Sequence, residues 1–156
     1  MEKGSFDMKK ALVYAIHAEI EASEFYSDWA KHAEGHLKKE LEELSGWEGE
    51  HRDSLVKYLE NSFGEKFSRD PEMVVDPALK VQADEFRNNY ALLRIASTVF
   101  LSEMRAMELY EKMESESTGE AKKMFREIKE MEKGHMDSAK KRYMELREHI
   151  VGFHAF

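Results

Sequence analysis

The chain is 156 residues long, sets 24 Lys and Arg against 32 Asp and Glu for a formal charge of −8, and contains no cysteine. That length suits one domain with a real core. The acidic balance argues against nucleic acid as the main partner, because phosphate contacts need clustered Lys and Arg, and the missing thiols exclude disulfides, thiolate-bound metals and a thiol nucleophile. No uncharged run approaches the roughly 20 residues of a membrane span. The N-terminus lacks the apolar core of a secretory signal, so the expectation is a cytoplasmic protein with no membrane partner.

A charged fraction of 36% and only two prolines favour long, solvent-facing helices. Asp7 is placed to cap a first helix over about 7–34, on which Leu12, Ala15, Ile16, Glu19, Ala22, Tyr26, Trp29 or Ala30, and Ala33 recur on one face. Gly35 reads as its stop. A second helix over about 37–61 carries Leu37, Leu41, Leu44, Glu48, His51, Leu55, Tyr58 and Leu59. Gly46 and Gly49 inside it either let another helix approach or distort the helix so as to aim Glu48 and His51. Residues 62–83, punctuated by Gly64, Pro71 and Pro77, read as a long crossover, with Met73, Val74 and Val75 packing on the helices.

A third helix is expected over about 84–115, capped by Asp84, with Phe86, Tyr90, Leu93, Ala96, Phe100, Glu103, Met107, Tyr110 and Met113 as its stripe. Ser117 and Glu120 suggest a capping box for a fourth, over about 120–149, with Ala121, Met124, Phe125, Ile128, Glu132, His135, Ala139, Tyr143 and Leu146. The tail, Ile150 to Phe156, reads as a flap or a contact with another subunit. Two hairpins with short loops, joined by one long crossover, give an all-α fold with the connectivity of a ferritin-like four-helix bundle, in one domain spanning 1–156.

The apolar stripes are interrupted at mid-length by the same polar residues twice. Glu19, Glu48 and His51 recur 84 positions later as Glu103, Glu132 and His135, and Tyr26 recurs as Tyr110. Four carboxylates crowded at one axis would repel one another and take up protons, and removing each from water costs several kcal/mol unless opposite charge meets it. Two divalent cations neutralise four carboxylates. The i, i+3 spacing puts Glu and His on one face, and mixed carboxylate and imidazole ligands suit iron or manganese better than a soft metal. Glu19, Glu48, His51, Glu103, Glu132 and His135 are therefore the candidate ligands of two iron ions, with manganese or a mixed pair as the alternative. The competing structural reading is a bundle with buried Glu–His ion pairs. Tyr26 and Tyr110, about 10 Å along the helix from Glu19 and Glu103, are expected to hydrogen-bond a liganding carboxylate across the bundle, with carrying an electron as a lesser alternative and a core tyrosine with a satisfied hydroxyl as the structural reading. His17, His32 and His36 read as surface residues, and Met104, Met107, Met113, Met124 and Met131 as core filler.

The stretches Ala15-Ile16-His17-Ala18-Glu19 with Phe25-Tyr26, Trp47-Glu48-Gly49-Glu50-His51, Glu103 with Leu109-Tyr110, and Glu132-Lys133-Gly134-His135 resemble ferritin-like di-iron carboxylate proteins, most closely the rubrerythrin-like domains. The resemblance implies that Glu48 and Glu132 bridge two irons, that Glu19 and Glu103 are terminal carboxylates, and that His51 and His135 each cap one iron. It implies an oxidoreductase acting through those metals, in which a diferrous site reacts with hydrogen peroxide or dioxygen in oxidative-stress defence. Two departures limit the transfer. Rubrerythrins proper hold a further iron on four cysteines, which this chain lacks, so electrons would come from a separate donor protein or a small reductant. Peroxide-reducing members also carry an extra Glu where this chain has Ala106, matching Ala22 in the first half. The resulting symmetric set of four Glu and two His resembles a ferroxidase centre, so iron handling without turnover, or a non-redox bundle held together by its metals, stand as alternatives. A homodimer is the expected assembly.

Overall fold

The computed structural model describes residues 6–151. Four long helices carry it: α1 (Met8–Ala30), α2 (Gly35–Phe63), α3 (Asn89–Ser115) and α4 (Gly119–Val151), with no strand among the described residues. α1 packs along α2 and α3 along α4, while contact between the two hairpins is far sparser. The crossover between α2 and α3 contains two short 3-10 turns, Pro77–Leu79 and Ala83–Arg87. This is the ferritin-like bundle expected from the sequence. No described helix is long and apolar enough to cross a membrane.

The helix ends follow from local chemistry. The Asp7 carboxylate accepts the Lys10 amide at 3.1 Å and starts α1. Gly64, at φ +66°, closes α2 by giving its N–H to Glu60 O, a left-handed position that a residue with a Cβ adopts only with strain. α1 ends four residues earlier than the stripe suggests. Gly35, at φ +61°, is the entry to α2 and not the stop of α1. α3 starts five residues later than expected, because Asn88 and not Asp84 is the cap. Its side chain accepts the amides of Tyr90 and Ala91, both at 3.0 Å, while Gln82 and Glu85 form a capping box on the preceding 3-10 turn. Tyr90 consequently lies in the first turn of α3 and is 71% exposed, so it drops out of the expected stripe. Ser117 gives its hydroxyl proton to Met113 O, at the C-terminus of α3. α2 is continuously α-helical through Gly46 and Gly49, so there is no helix distortion at the Glu48–His51 pair. Gly49 faces Ser23, whereas nothing lies near Gly46.

The core falls into two apolar clusters with a polar layer between them. One holds Phe25, Trp29, Leu41, Leu44, Ile95 and Val99; the other holds Leu12, Ile16, Leu55, Leu59, Met113, Phe125 and Ile128. Each closes one end of the bundle to water. The ionisable groups thus occupy a middle layer sealed from both sides, where the effective dielectric constant is low. The expected role of the tail falls, beyond Val151, outside the described residues.

Candidate metal centre

Glu19 on α1, Glu48 and His51 on α2, Glu103 on α3, and Glu132 and His135 on α4 meet in that middle layer. The four carboxylates are between 1% and 4% exposed, His51 is 5% exposed, and the His135 side chain is 11% exposed. Each hairpin supplies half of the layer, because one turn of α2 or α4 aims both members of a Glu-x-x-His pair inward.

The contacts cross from one hairpin to the other, and they do so reciprocally. Tyr26 on α1 donates its hydroxyl proton to Glu103 Oε1 at 2.5 Å, and Tyr110 on α3 donates to Glu19 Oε1. His51 Nδ1 lies 3.0 Å from Glu132 Oε1, and His135 Nδ1 lies 2.9 Å from Glu48 Oε1. The repeat of 84 seen in the sequence is therefore a two-fold relation in space: each pair maps onto its counterpart.

The layer is not satisfied by its own hydrogen bonds. Glu19 Oε2, Glu48 Oε1, Glu132 Oε2 and His135 Nδ1 are buried and have no hydrogen-bond partner; Glu48 Oε1 and His135 Nδ1 lie 2.9 Å apart as an ion pair but are not aligned as donor and acceptor. Four such atoms in one place are unusual for a folded protein, in which the large majority of buried polar atoms are paired. They are not scattered. Two groups of four donor atoms, each with all members within 4.8 Å of one another, come from Glu19, Glu48, His51 and Glu132 and from Glu48, Glu103, Glu132 and His135. Glu48 and Glu132 belong to both groups. Orphaned oxygens, imidazole nitrogens and two shared carboxylates fit a pair of divalent cations.

Electrostatics of the protein alone show what the cations would offset. Burial, then the neighbouring carboxylates Glu19 and Glu132, push the Glu48 carboxyl well above the usual range. Burial and Glu132 do the same to Glu103, against the opposing hydrogen bond from Tyr26. Burial also disfavours an ionised Glu132, but contacts with Glu103, His135 and His51 outweigh it and hold that carboxyl below its usual range. For His51, burial disfavours the charged ring, yet Glu132 and Glu19 raise its pKa to about 9. In the metal-free layer, burial and mutual repulsion thus favour protonated Glu48 and Glu103, while Glu132 stays ionised beside a protonated His51. Burial, followed by the nearby carboxylates, raises both tyrosines, so Tyr26 and Tyr110 remain protonated donors.

A cavity of about 80 Å³ opens onto Glu19, Glu48, Glu103 and Glu132 between α1 and α3. That is room for two or three water-sized molecules at about 30 Å³ each. Ala18, Ala22 and Ala106 form its walls, and Val75, Asp76 and Arg105 lie toward the crossover.

Sequence reasoning missed the residues that hold this cover in place. His17, expected at the surface, is 2% exposed. Its Nδ1 donates to Val13 O at 2.7 Å and its Nε2 accepts the Asp70 amide at 2.9 Å, which fixes a neutral tautomer. Glu21 is also buried and accepts the amides of Val75 at 2.7 Å and Asp76 at 3.0 Å. Asp76 in turn receives Arg105 Nη2 at 2.7 Å. The available signal was a second buried face of α1, marked by Val13 and Ile20 beside the main stripe. His32 is half-buried and stacked on Phe86, whereas His36 is exposed as expected.

Comparison with known proteins agrees with this architecture. A solved structure described as a hypothetical protein from Pyrococcus furiosus superposes with a TM-score of 0.80 at 29% sequence identity, covering 90% of each chain. No functionally curated protein matches the chain. The Rubrerythrin family model matches residues 10–143, which takes in all six clustered ligand candidates and both tyrosines. The chain belongs to the rubrerythrin family.

Proposed function

We propose that this protein is a di-iron carboxylate oxidoreductase that reacts its reduced site with hydrogen peroxide or dioxygen. Glu48 and Glu132 would bridge the two ions, Glu19 and Glu103 would each bind one, and His51 and His135 would cap one each. One observation carries the assignment: two four-atom donor groups share Glu48 and Glu132 and no other residue. When bound, the iron pair supplies two electrons and a cationic surface for a small oxidant. The chain's own residues do the rest. Tyr26 and Tyr110 fix the orientation of Glu103 and Glu19 by donating to one oxygen of each, which leaves the other oxygen free for a metal. The two apolar clusters exclude bulk water from either end. The small alanine-walled cavity favours an oxidant of a few atoms. We assign the electrons to a donor outside these 156 residues, which hold no thiolate for a second redox iron.

The symmetry of the donor set favours a second reading, in which the protein oxidises or carries iron without catalytic turnover. An anaerobic Fe(II) titration of metal-free protein, followed by separate oxygen and peroxide pulses read by absorbance, separates the two. Saturation at two irons per chain, with ferric absorbance rising faster after peroxide and turnover on adding a donor, supports the oxidoreductase. Fast oxidation by oxygen with continued iron uptake supports iron handling. Absence of stoichiometric binding would refute the ligand assignment itself.

A further inference from the structure

The two tyrosines of the site are equivalent in their hydrogen bonds but not in what lies behind them. Tyr26 sits against Phe25 with ring centroids 5.5 Å apart, and Phe25 sits against Trp29 at 5.8 Å. Trp29 stacks on Phe86 at 6.1 Å, and Phe86 stacks on the half-buried His32 at 5.6 Å. On its other side Trp29 is covered by the Arg142 guanidinium, 5.8 Å from the ring and neutralised by Glu40. A continuous file of aromatic rings thus leads from the carboxylate Glu103 toward the end of the bundle. The equivalent positions behind Tyr110 are Leu109, Met113 and Glu116, and among the described residues no aromatic ring packs against Tyr110. The internal two-fold symmetry is kept for the ligands and broken for the rings.

We propose that Tyr26 and Trp29 form a one-sided electron relay between the metal site and the protein surface, a reading that rests on the redox function proposed above. Tyrosine and tryptophan are the readily oxidised aromatic side chains, and contacting rings provide electronic overlap that aliphatic packing does not. In the relay step one electron would leave the Trp29 indole and pass by way of Tyr26 toward the site, where an iron pair oxidised by peroxide would accept it. The Tyr26 phenol proton stays in its hydrogen bond with Glu103 throughout the passage. A one-electron reductant at the surface then returns one electron to Trp29, so neither side chain is consumed.

The relay is tested by starving it. Iron-loaded protein is treated with excess hydrogen peroxide without any electron donor, and oxidised residues are located by peptide mass spectrometry. Trp47, 44% exposed, reports random attack from solution, whereas Trp29 is 3% exposed and is reached through the protein. The expected result is that Trp29 is oxidised severalfold more than Trp47 in iron-loaded protein and remains intact in metal-free protein given the same peroxide. Per ferric iron formed, Tyr26→Phe should lower Trp29 oxidation severalfold, while the symmetry-matched Tyr110→Phe, which loses an equivalent hydrogen bond to a candidate ligand, should lower it far less. Freeze-quench electron paramagnetic resonance provides a second readout, with a protein radical signal that disappears in Trp29→Phe. Ferric absorbance with Trp29 intact, or equal effects of the two tyrosine variants, would overturn the relay alone. No ferric absorbance at all would overturn both the relay and the redox reading on which it rests.

Discussion

Glu48→Gln should make the metal-free protein more stable while destroying its metal site. Glu48 is 2% exposed, and burial together with Glu19 and Glu132 holds its carboxyl well above the usual range. In the unfolded chain it ionises freely near its ordinary value, so above about pH 4.5 the unfolded state gains a stability that the folded state forgoes. The penalty grows as pH rises toward the folded-state value. Glutamine keeps the shape and one acceptor oxygen but carries no charge. Each unit by which folding raises a carboxyl's pKa costs about 1.4 kcal/mol of stability once the pH lies above both values, so relieving that penalty should give about 1–3 kcal/mol at pH 8 and much less at pH 5. With a urea dependence of about 2 kcal/mol/M, the midpoint at pH 8 moves up by roughly 0.5–1.5 M. The assay is urea unfolding followed by circular dichroism, in chelator, at both pH values. Both donor groups contain Glu48, so the same variant should fail to bind two metals and lose the stabilisation that added metal gives wild type. A metal-free variant that is less stable than wild type at pH 8, or a gain of equal size at pH 5, would refute the electrostatic account.

Other consequences are independent of that variant. Because Glu48 and Glu103 are raised and His51 titrates near pH 9, loading metal at pH 7 should release protons, detectable with an indicator dye in weak buffer; zero release would contradict the protonated network. His51, raised from 6.5 to about 9, contributes stability that is complete below pH 6.5 and lost as pH rises through 9. The metal-free protein should therefore weaken over that window, with a shallower decline in His51→Ala. Glu21→Ala removes the acceptor for the Val75 and Asp76 amides and should cost about 2–3 kcal/mol, with faster proteolysis between residues 64 and 88. Unchanged cleavage there would show that the crossover is held by other contacts.

What the sequence alone determined is the part of the protein that obeys helical periodicity. A stripe at three- and four-residue spacing is local information, so the four helices, the crossover and the six polar interruptions at Glu19, Glu48, His51, Glu103, Glu132 and His135 could all be located without knowing how the helices pack. The internal repeat strengthened that reading, because it tied each polar residue to a counterpart at the same depth. Tertiary structure alone decided the pairing. That Tyr26 bonds Glu103 and Tyr110 bonds Glu19, across hairpins and not within them, depends on the relative placement of segments joined by a long crossover. Periodicity places a residue on a face but does not say which face the crossover will cover, and so His17 read as solvent-facing and Glu21 carried no signal until the chain at 70–76 closed over them. The true start of α3 was hidden for a similar reason. Asp84 and Asn88 are both competent caps, and the choice was made by the 3-10 turn that packs Phe86 against Phe25 and Trp29, a contact between residues some sixty positions apart.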